Sequence, residues 1–356
     1  MTSRERIEAA LRHQEPDRTP IFEYVLQPPV ADAVLGRAYV YGERFDPFVR
    51  EHGWEKAVRR QAGDMVDLAK SLGHDMLYVV PNPLPPHPVE KQEPPPPAPV
   101  FDDDPVAEME SRLRITESRD VTPNDDNFLI YRAVKEAMRQ RDLDLPILAP
   151  AYGHGVWTDT VLMQTMVLEP ALAARHFAAC TRSILPLVEK YHSLGVEMAG
   201  VGGDFAGTRG PMVSPKAYHD LMVPEVRKVS RHAHTLGMVT VNASDGNLWS
   251  VIEDFLTGCD VDGYIEIDFF AGMRVGELKL RFGKKVTFFG NLDCGNMLSF
   301  GSPDDVRRHT TGILTEGRGH GGHILCASNA ITASIPLENY LAVYTAYREF
   351  FGLPRD

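Results

Sequence analysis

The stretch Met198-Ala199-Gly200-Val201-Gly202-Gly203-Asp204 is a short apolar run that ends in glycines and a carboxylate. A continuous apolar run of this length suits a strand that is buried on both faces of a parallel sheet. Similar runs recur along the chain, and each is followed by Gly, Asn or Asp and then by a long segment with helical spacing. The eight predicted strands are Ile21–Tyr24, Met76–Val80, Ile147–Pro150, Met198–Gly202, Val239–Ala243, Tyr264–Ile267, Val286–Gly290 and Ile324–Ala327.

The segments between these runs have the spacing of amphipathic helices. The clearest are Pro170–Leu194 and Pro215–Leu236, and Pro336–Phe351 follows the last run. Ser214 precedes Pro215, which is the pattern of a serine N-cap followed by proline at the first helical position. Eight strands that alternate with helices predict an α/β fold, a closed (β/α)8 TIM barrel, rather than an open doubly wound sheet.

Two segments interrupt this alternation after the second strand. Residues 81–105 hold eleven prolines and end in an acidic run, which is typical of an extended loop. In Glu110–Ser118, Leu113 and Ile115 alternate with charged residues, as in a half-exposed strand. We therefore expect one domain over residues 1–356, with a loop or hairpin excursion over residues 81–120 that caps the barrel mouth. A solvated surface loop without a role in catalysis is the alternative.

Composition places the chain among globular cytoplasmic enzymes. It has 356 residues, 43% of them hydrophobic, and a net charge of -12 without a long basic run, so we expect no nucleic-acid partner. No apolar run reaches the roughly 18 residues of a membrane span, and the N-terminal residues lack the apolar stretch of a signal peptide. The cysteines are scattered, which favours free thiols in a reducing compartment: Cys180, Cys259, Cys294 and Cys326.

Polar side chains follow most of the predicted strands, at the end of a barrel where active sites collect. They are mainly oxygen-bearing, with one imidazole, and so suit hydrogen bonding to a polyhydroxylated or ether substrate, or binding of an oxygen-preferring metal ion. The candidates are Glu23, Asn82, Tyr152, His154, Asp204, Asn242, Ser244, Asp245, Glu266, Asp268, Asn291, Asp293, Ser328 and Asn329.

Several of these residues have a purely structural alternative. Asp204 lies in a glycine-rich loop and could cap a turn or pair with Arg209. The residues after Asn242 could supply only the turn and N-cap of a strand-to-helix junction. His154 lies between two glycines and could be a loop histidine without a special partner. Cys326 lies inside the eighth strand and is expected in the core.

The order of the motifs resembles the uroporphyrinogen decarboxylase superfamily over nearly the whole chain. Residues 4–20 resemble the family's opening helix and its entry into the first strand, which implies an N-terminal helical extension of the barrel. The later motifs are similar to the family's acidic loop with its Ser-Pro helix start, its Gly-Asn-Leu-Asp strand end and its closing strand. They are Gly203-Asp204-Phe205 with Ser214-Pro215, Gly290-Asn291-Leu292-Asp293, and Gly322–Leu325 with Pro336–Asn339. The resemblance also makes a homodimer reasonable.

The chain departs from the motifs of true decarboxylases in this superfamily. Their Arg-Gln-Ala-Gly-Arg loop follows the first strand, whereas residues 23–29 contain no arginine, and the similar residues 60–64 fall inside a helical pattern. The family's tyrosine would fall near Leu162 and its late histidine at Asn329. A porphyrinogen with eight carboxylates would lose cationic contacts worth about 1.5–3 kcal/mol each. It would also be repelled by Glu23, Asp204, Asp245 and Glu266.

The second branch, to which the chain is more similar, comprises methylcobalamin:coenzyme M methyltransferases and corrinoid-linked O-demethylases. Their zinc is held by a His-x-Cys motif and a later cysteine. Here these positions read Asn242-Ala243-Ser244 and, near the later cysteine, Asn329. Because neutral Asn and Ser are poor zinc ligands, activation of a thiol by zinc is not expected.

The resemblance and the predicted strand ends together lead to a functional hypothesis. We expect a methyltransferase that acts on an oxygen- or nitrogen-bearing small molecule, with a separate corrinoid protein as partner. Asp204 and Asp245 would be acid/base or polarising groups, and Asn242 and Asn329 would orient the substrate. Any divalent metal ion would bind Asp204 and Glu266. The predicted substrate contacts are Glu23, His154, Arg209, Ser244, Glu266 and Asn291.

Two alternatives remain open. The first is a decarboxylase or lyase of a small carboxylic acid, for which Arg209 is the one evident cation near the barrel mouth. The second is a non-catalytic binding barrel, in which Asp204 and Asp245 could be replaced by Asn without a chemical effect.

Overall fold

Seven parallel strands form one sheet in the computed structural model, which describes residues 1–86 and 104–354. Its strands lie in the order β1-β2-β3-β6-β7-β8-β9, and a small antiparallel hairpin pairs β4 with β5. The strand bounds are β1 Leu77–Tyr78, β2 Ile147–Pro150, β3 Met198–Gly202, β4 Ala206–Gly207, β5 Gly210–Pro211, β6 Val239–Ala243, β7 Gly263–Ile265, β8 Thr287–Phe289 and β9 His323–Ile324. Since sheet neighbours are also neighbours along the chain, the sheet curls progressively, as in a (β/α)8 barrel.

The first predicted strand closes this ring. Ile21 forms a parallel bridge with Leu325, and Leu26 forms another with Ile331. On the other side, the Asp75 amide donates to the Ile21 carbonyl at 2.7 Å, next to β1. The segment therefore occupies the eighth position between β9 and β1, although it forms isolated bridges rather than a continuous strand. The predicted α/β barrel is confirmed.

Thirteen α-helices surround the sheet or extend its loops. Their bounds are α1 Ser3–Leu11, α2 Val30–Leu35, α3 Phe45–His52, α4 Trp54–Leu72, α5 Pro105–Ser118, α6 Leu129–Gln140, α7 Thr160–Leu168, α8 Pro170–Ser193, α9 Pro215–Ala217, α10 Val223–Thr235, α11 Val275–Phe282, α12 Pro303–Gly317 and α13 Leu337–Phe351, counted over the described residues. The predicted helix from Pro215 runs to Thr235, with a π-helical turn over Tyr218–Met222 between α9 and α10. The Ser214 hydroxyl accepts from the Ala217 amide at 3.1 Å, as its N-cap pattern predicts. Among the described residues, no helix has the length and apolar character needed to cross a membrane.

The excursion after the second strand differs from the prediction. The predicted half-exposed strand Glu110–Ser118 is part of helix α5, whose first residue is Pro105. The Asp104 carboxylate accepts from the Val106 and Ala107 amides at 3.0 and 3.1 Å, so an Asp-Pro helix start outweighs the short alternation. Met109 and Leu113, four residues apart, form the buried face of this helix. The predicted proline-rich loop lies mostly outside the described residues.

Two packed layers determine where each strand-end side chain lies. Every strand of the ring contributes side chains to the barrel interior. Ile7 and Ala10 of α1 cover the end of the barrel at which the strands begin. The residues that alternate with the interior positions pack outward against the helices. The interior residues are Phe22, Met76, Tyr78, Leu148, Met198, Val241, Ala243, Ile265, Phe289, Ile324 and Cys326.

A buried carboxylate ties the N-terminal segment to the ring. Asp75 is fully buried and accepts from the guanidinium groups of Arg6 at 2.9 Å and Arg18 at 3.0 Å. It also accepts from the Ile21 amide at 3.1 Å, directly at the segment that closes the barrel. The exposed Asp17 forms a further ion pair with Arg6.

Candidate functional site

Three carboxylic side chains lie at the ends of neighbouring strands and form what we call the carboxyl cluster. Asp204 follows β3, Asp245 follows β6 and Glu266 follows β7, and these three strands are adjacent in the sheet. The Asp245 amide donates a hydrogen bond to the Asp204 carboxylate. The structure thus brings together three of the residues that the sequence predicts for the mouth, and their negative charges interact with one another.

Burial raises the pKa of each group in the carboxyl cluster, and repulsion by neighbouring carboxylates adds to this effect for Asp245 and Glu266. Burial raises the pKa of Asp204 above its ordinary value. Burial, followed by the charges of Asp204 and Asp268, raises the pKa of Asp245 to about 6. Burial, followed by the charges of Asp204 and Asp245, raises the pKa of Glu266 to about 8. Glu266 therefore keeps its proton at neutral pH, while Asp245 is mostly ionised.

Three tyrosines surround Glu266 from the other side of the barrel. The Tyr24 hydroxyl donates to the Tyr152 hydroxyl at 3.5 Å and also hydrogen-bonds Glu266. The Tyr24 and Tyr78 rings pack against each other with their centroids 4.3 Å apart. Sequence reasoning did not select Tyr24 or Tyr78 as site residues. Their positions in the sequence could have identified them, because each lies two residues after an interior residue, Phe22 or Met76, and therefore on the same face of its strand.

Gly200 makes room for Tyr152, which leads to a testable prediction. A Cβ atom on Gly200 would lie 2.5 Å from the Tyr152 hydroxyl oxygen and 2.7 Å from two ring carbons. We expect Gly200→Ala to displace the Tyr152 ring and to cost about 1–3 kcal/mol of stability through overpacking. Urea denaturation of this variant and of Gly207→Ala, where no atom lies within 4 Å of the added Cβ, provides the measurement and its control. Equal stability of the two variants would refute this packing.

Asn329 is the one predicted orienting amide that contacts the carboxyl cluster. Its side-chain nitrogen donates to the Asp245 carboxylate at 3.3 Å, and its side-chain oxygen accepts from the Ala330 amide at 2.7 Å. Asn329 is exposed at the mouth, so it can contact both Asp245 and a ligand.

The other predicted amides and Ser244 hold the loops instead of facing the mouth. Asn242 is buried in the outer layer, where its side-chain nitrogen donates to the Phe255 carbonyl at 2.8 Å. Asn291 is buried and donates to the Met273 carbonyl at 2.8 Å. The Ser244 hydroxyl donates to the Asp245 carbonyl at 3.1 Å and accepts from the Phe205 amide at 3.4 Å. These three side chains therefore make contacts that support the loops, and the orienting and binding roles expected from the sequence stay predictions.

Two further predicted contacts, His154 and Glu23, have hydrogen-bond partners outside the carboxyl cluster. The His154 ring is fully buried against α8, where Nε2 lies 2.9 Å from the Thr181 hydroxyl. Glu23 faces α13 and the closing strand, and it accepts from the Ala327 amide at 3.1 Å and bonds the Tyr340 hydroxyl. Arg209 is exposed in the turn between β4 and β5. The cause is the same for Glu23 and Asn242: both alternate with interior residues and point outward.

Basic side chains are absent from the carboxyl cluster within residues 1–86 and 104–354. No Lys or Arg of these residues forms an ion pair with Asp204, Asp245 or Glu266, or lowers their pKa. The sequence Arg60-Gln61-Ala62-Gly63-Asp64 lies within α4, where Arg60 pairs with the buried Asp64 at 3.0 Å. It is therefore not a loop at the mouth.

The donor atoms at the mouth do not fit a resident metal ion. In the described part of the chain, no group of three or more His, Cys, Asp or Glu side chains is placed to hold one. Cys326 lies in the barrel interior, and the Cys294 sulfur contacts the Ser328 hydroxyl at 3.4 Å. We therefore assign no chemical step to a metal ion.

Comparison with known proteins identifies a family and two proteins to which this chain is similar. The sequence model of a family described as uroporphyrinogen decarboxylase (URO-D) matches residues 149–350. A uroporphyrinogen decarboxylase from Pseudoalteromonas translucida (strain TAC 125) is 25% identical over 248 residues, or 64% of this chain, which spans 66% of that relative's length. A methyltransferase from Methanosarcina mazei has a similar structure, with a TM-score of 0.69, 15% identity and 99% of each chain covered. At this identity, the structural likeness concerns the fold.

Proposed function

Because the chain belongs to the uroporphyrinogen decarboxylase family, we propose that it is an enzyme that transfers a methyl group at an oxygen or nitrogen atom of a small, uncharged or cationic molecule. A separate corrinoid protein would be its partner. The carboxyl cluster carries this proposal, because it combines a proton donor at neutral pH with carboxyl groups that form no ion pair with a Lys or Arg among the described residues. The shared fold with a Methanosarcina mazei methyltransferase is consistent with it.

Glu266 would act as the general acid. When a methyl–oxygen bond breaks, the bonding electron pair stays on the oxygen, which must then be protonated or stabilised. A protonated Glu266 can supply this proton, while the Tyr24 hydroxyl holds the carboxyl group in place. Asp245, oriented by Asn329, would stabilise positive charge on the substrate. The corrinoid of the partner protein would accept or donate the methyl group.

Decarboxylation is the less favoured alternative. It is suggested by the names of the family and of the relative from Pseudoalteromonas translucida. Binding of a carboxylate substrate requires a positively charged side chain, whereas the carboxyl cluster would repel the substrate. Arg209, the candidate from the sequence, is exposed and forms no ion pair with a described residue.

A spectroscopic assay tests the proposal. The protein is mixed under anaerobic conditions with reduced cobalamin and a panel of methyl ethers and methylamines, and the visible spectrum is followed for formation of methylcobalamin. We expect methylation with at least one class of donor and none without protein. Asp204→Asn and Asp245→Asn should each slow it, whereas Asp220→Asn, an exposed carboxylate paired with Lys216, should not.

The same samples distinguish the alternatives. Release of carbon dioxide from a panel of small carboxylic acids, without methyl transfer, would favour the decarboxylase. If neither reaction occurs and the Asn variants behave like the unchanged protein, the chain is a binding barrel and the proposal fails.

A further inference from the structure

Three tyrosine hydroxyl groups form a chain that begins at Glu266. The Tyr24 hydroxyl hydrogen-bonds the Glu266 carboxyl group and lies 3.5 Å from the Tyr152 hydroxyl. The Tyr78 hydroxyl hydrogen-bonds both of these tyrosines. All three rings pack against the apolar interior of the barrel, and Tyr152 fills the space that Gly200 leaves. Glu266 is thus connected through Tyr24 to two further hydroxyl groups.

A cavity that is open to solvent borders this chain between β1 and the ring-closing segment, residues 21–26. Tyr24 and Tyr78 of the barrel interior line it, and so do Leu68 and Leu77 of the outer layer. This side cavity therefore crosses from the outer layer to the interior, next to the carboxyl cluster. It measures about 610 Å³, including the part open to solvent, so water has room to reach the chain at Tyr78.

The direction of the hydrogen bonds in the chain depends on the protonation of Glu266. A hydroxyl group has one proton to donate, and an ionised carboxylate has none. Because Tyr24 donates to Tyr152, its bond with Glu266 is donated by the protonated carboxyl group. Once Glu266 is ionised, Tyr24 must donate to the carboxylate and accept from Tyr152 or Tyr78 instead. Loss of the Glu266 proton therefore reverses the chain, which is how hydroxyl groups pass a proton along.

We propose that Tyr24, Tyr152 and Tyr78 form a relay through which Glu266 exchanges its proton with the solvent of the side cavity. Its use in catalysis rests on the proposed function, in which Glu266 gives its proton to the leaving oxygen. The carboxylate then takes the Tyr24 proton, Tyr24 takes that of Tyr78, directly or through Tyr152, and Tyr78 takes one from the solvent. One solvent proton thus enters for each methyl group transferred. Glu266 is only 8% exposed, at a mouth that the substrate occupies, so a second route to solvent restores the acid.

A pH jump across about 8, followed by stopped-flow infrared spectroscopy, tests the relay without substrate. The carboxyl band of Glu266 is identified by its absence in Glu266→Gln. We expect Tyr78→Phe, which keeps the ring and loses the hydroxyl, to slow ionisation of Glu266 by about tenfold or more. Tyr24→Phe should slow it as well, and should also move the ionisation to higher pH, because the Tyr24 hydroxyl stabilises the carboxylate.

Tyr41→Phe is the matched control. Tyr41 lines the same cavity, but its hydroxyl has no hydrogen bond to the chain among the described residues. Thermal melts establish that each variant is folded. Equal rates of Glu266 ionisation in folded Tyr78→Phe and Tyr41→Phe overturn the proposal.

Successive turnovers separate the relay from the proposed function. In methyl transfer from an oxygen donor, Tyr78→Phe should slow later turnovers more than the first, because Glu266 begins protonated and must then recover its proton. Equal slowing of all turnovers would indicate an effect on positioning alone and contradict the relay. Slow ionisation of Glu266 in Tyr78→Phe, in a protein that transfers no methyl group, supports the relay and refutes the proposed function.

Discussion

Glu266→Gln is expected to reduce methyl transfer from an oxygen donor by about 10²–10⁴-fold, the usual contribution of a general acid. Gln has the size of Glu but no acidic proton, so binding of the substrate should change little. Raising the pKa of Glu266 to about 8 keeps the group protonated at neutral pH. The wild-type enzyme should therefore lose activity as the pH rises through about 8. The Glu266→Gln variant should not show this decrease in activity at high pH.

Protein stability separates this chemical effect from a folding defect. The pKa of Glu266 is raised in the folded protein above 4.5, so ionisation disfavours the folded state progressively between about pH 4.5 and 8. Glu266→Gln removes this cost, and the variant should melt at a higher temperature than the unchanged protein at pH 9. A variant that melts normally and keeps full activity above pH 8 would show that Glu266 is not the acid.

Asp75→Ala is expected to destabilise the protein by about 3–5 kcal/mol, the cost of removing one partner from a buried ion pair. The change leaves the Arg6 and Arg18 guanidinium groups, with 11% and 16% of their side chains exposed, without this carboxylate. It also leaves the Ile21 amide without its side-chain acceptor. Because Ile21 lies in the segment that closes the ring, the loss should be felt across the barrel. Urea denaturation measures the free energy of unfolding.

Asp17→Ala is the matched control for this prediction. Asp17 also pairs with Arg6, at 2.6 Å, but 42% of its side chain is exposed. Exposed ion pairs contribute about 0–1 kcal/mol, so the control should unfold close to the unchanged protein. If Asp75→Ala is no less stable than Asp17→Ala, then the buried Asp75 carboxylate does not stabilise the segment that closes the ring.

The barrel could be predicted from the sequence because strands buried on both faces leave continuous apolar runs. Ile147–Pro150, Met198–Gly202 and Val239–Ala243 have the same bounds in the prediction and the structure. The carboxyl cluster was also predictable, since Asp204 and Asp245 directly follow such runs. A short alternating pattern predicted secondary structure less well. Residues 110–118 alternate as in a strand but belong to helix α5, because the Asp104 cap favours a helix.

The direction of each side chain could not be predicted as reliably as its position. Asn242 and Asp245 both lie near the end of β6, but Asn242 alternates with interior residues and turns toward Phe255. A continuous apolar run gives no indication of which parity faces inward, because both faces are buried. Tyr24 and Tyr78 were missed for the same reason, since they lie on the inward parity of the ring-closing segment and of β1.

The ring-closing segment also constrains how the chain can fold. The Glu23 carboxyl and the Ala327 amide that it binds are 304 positions apart, and the Tyr347 hydroxyl bonds the Thr19 carbonyl over 328 positions. Contacts over such separations are slow to form, because the loop-closure entropy must be overcome first. During synthesis, the edge of residues 21–26 that pairs with Leu325 and Ile331 stays unpaired until β9 and the residues that follow it have left the ribosome. Chaperones that shield exposed strand edges would be most valuable for this protein late in translation.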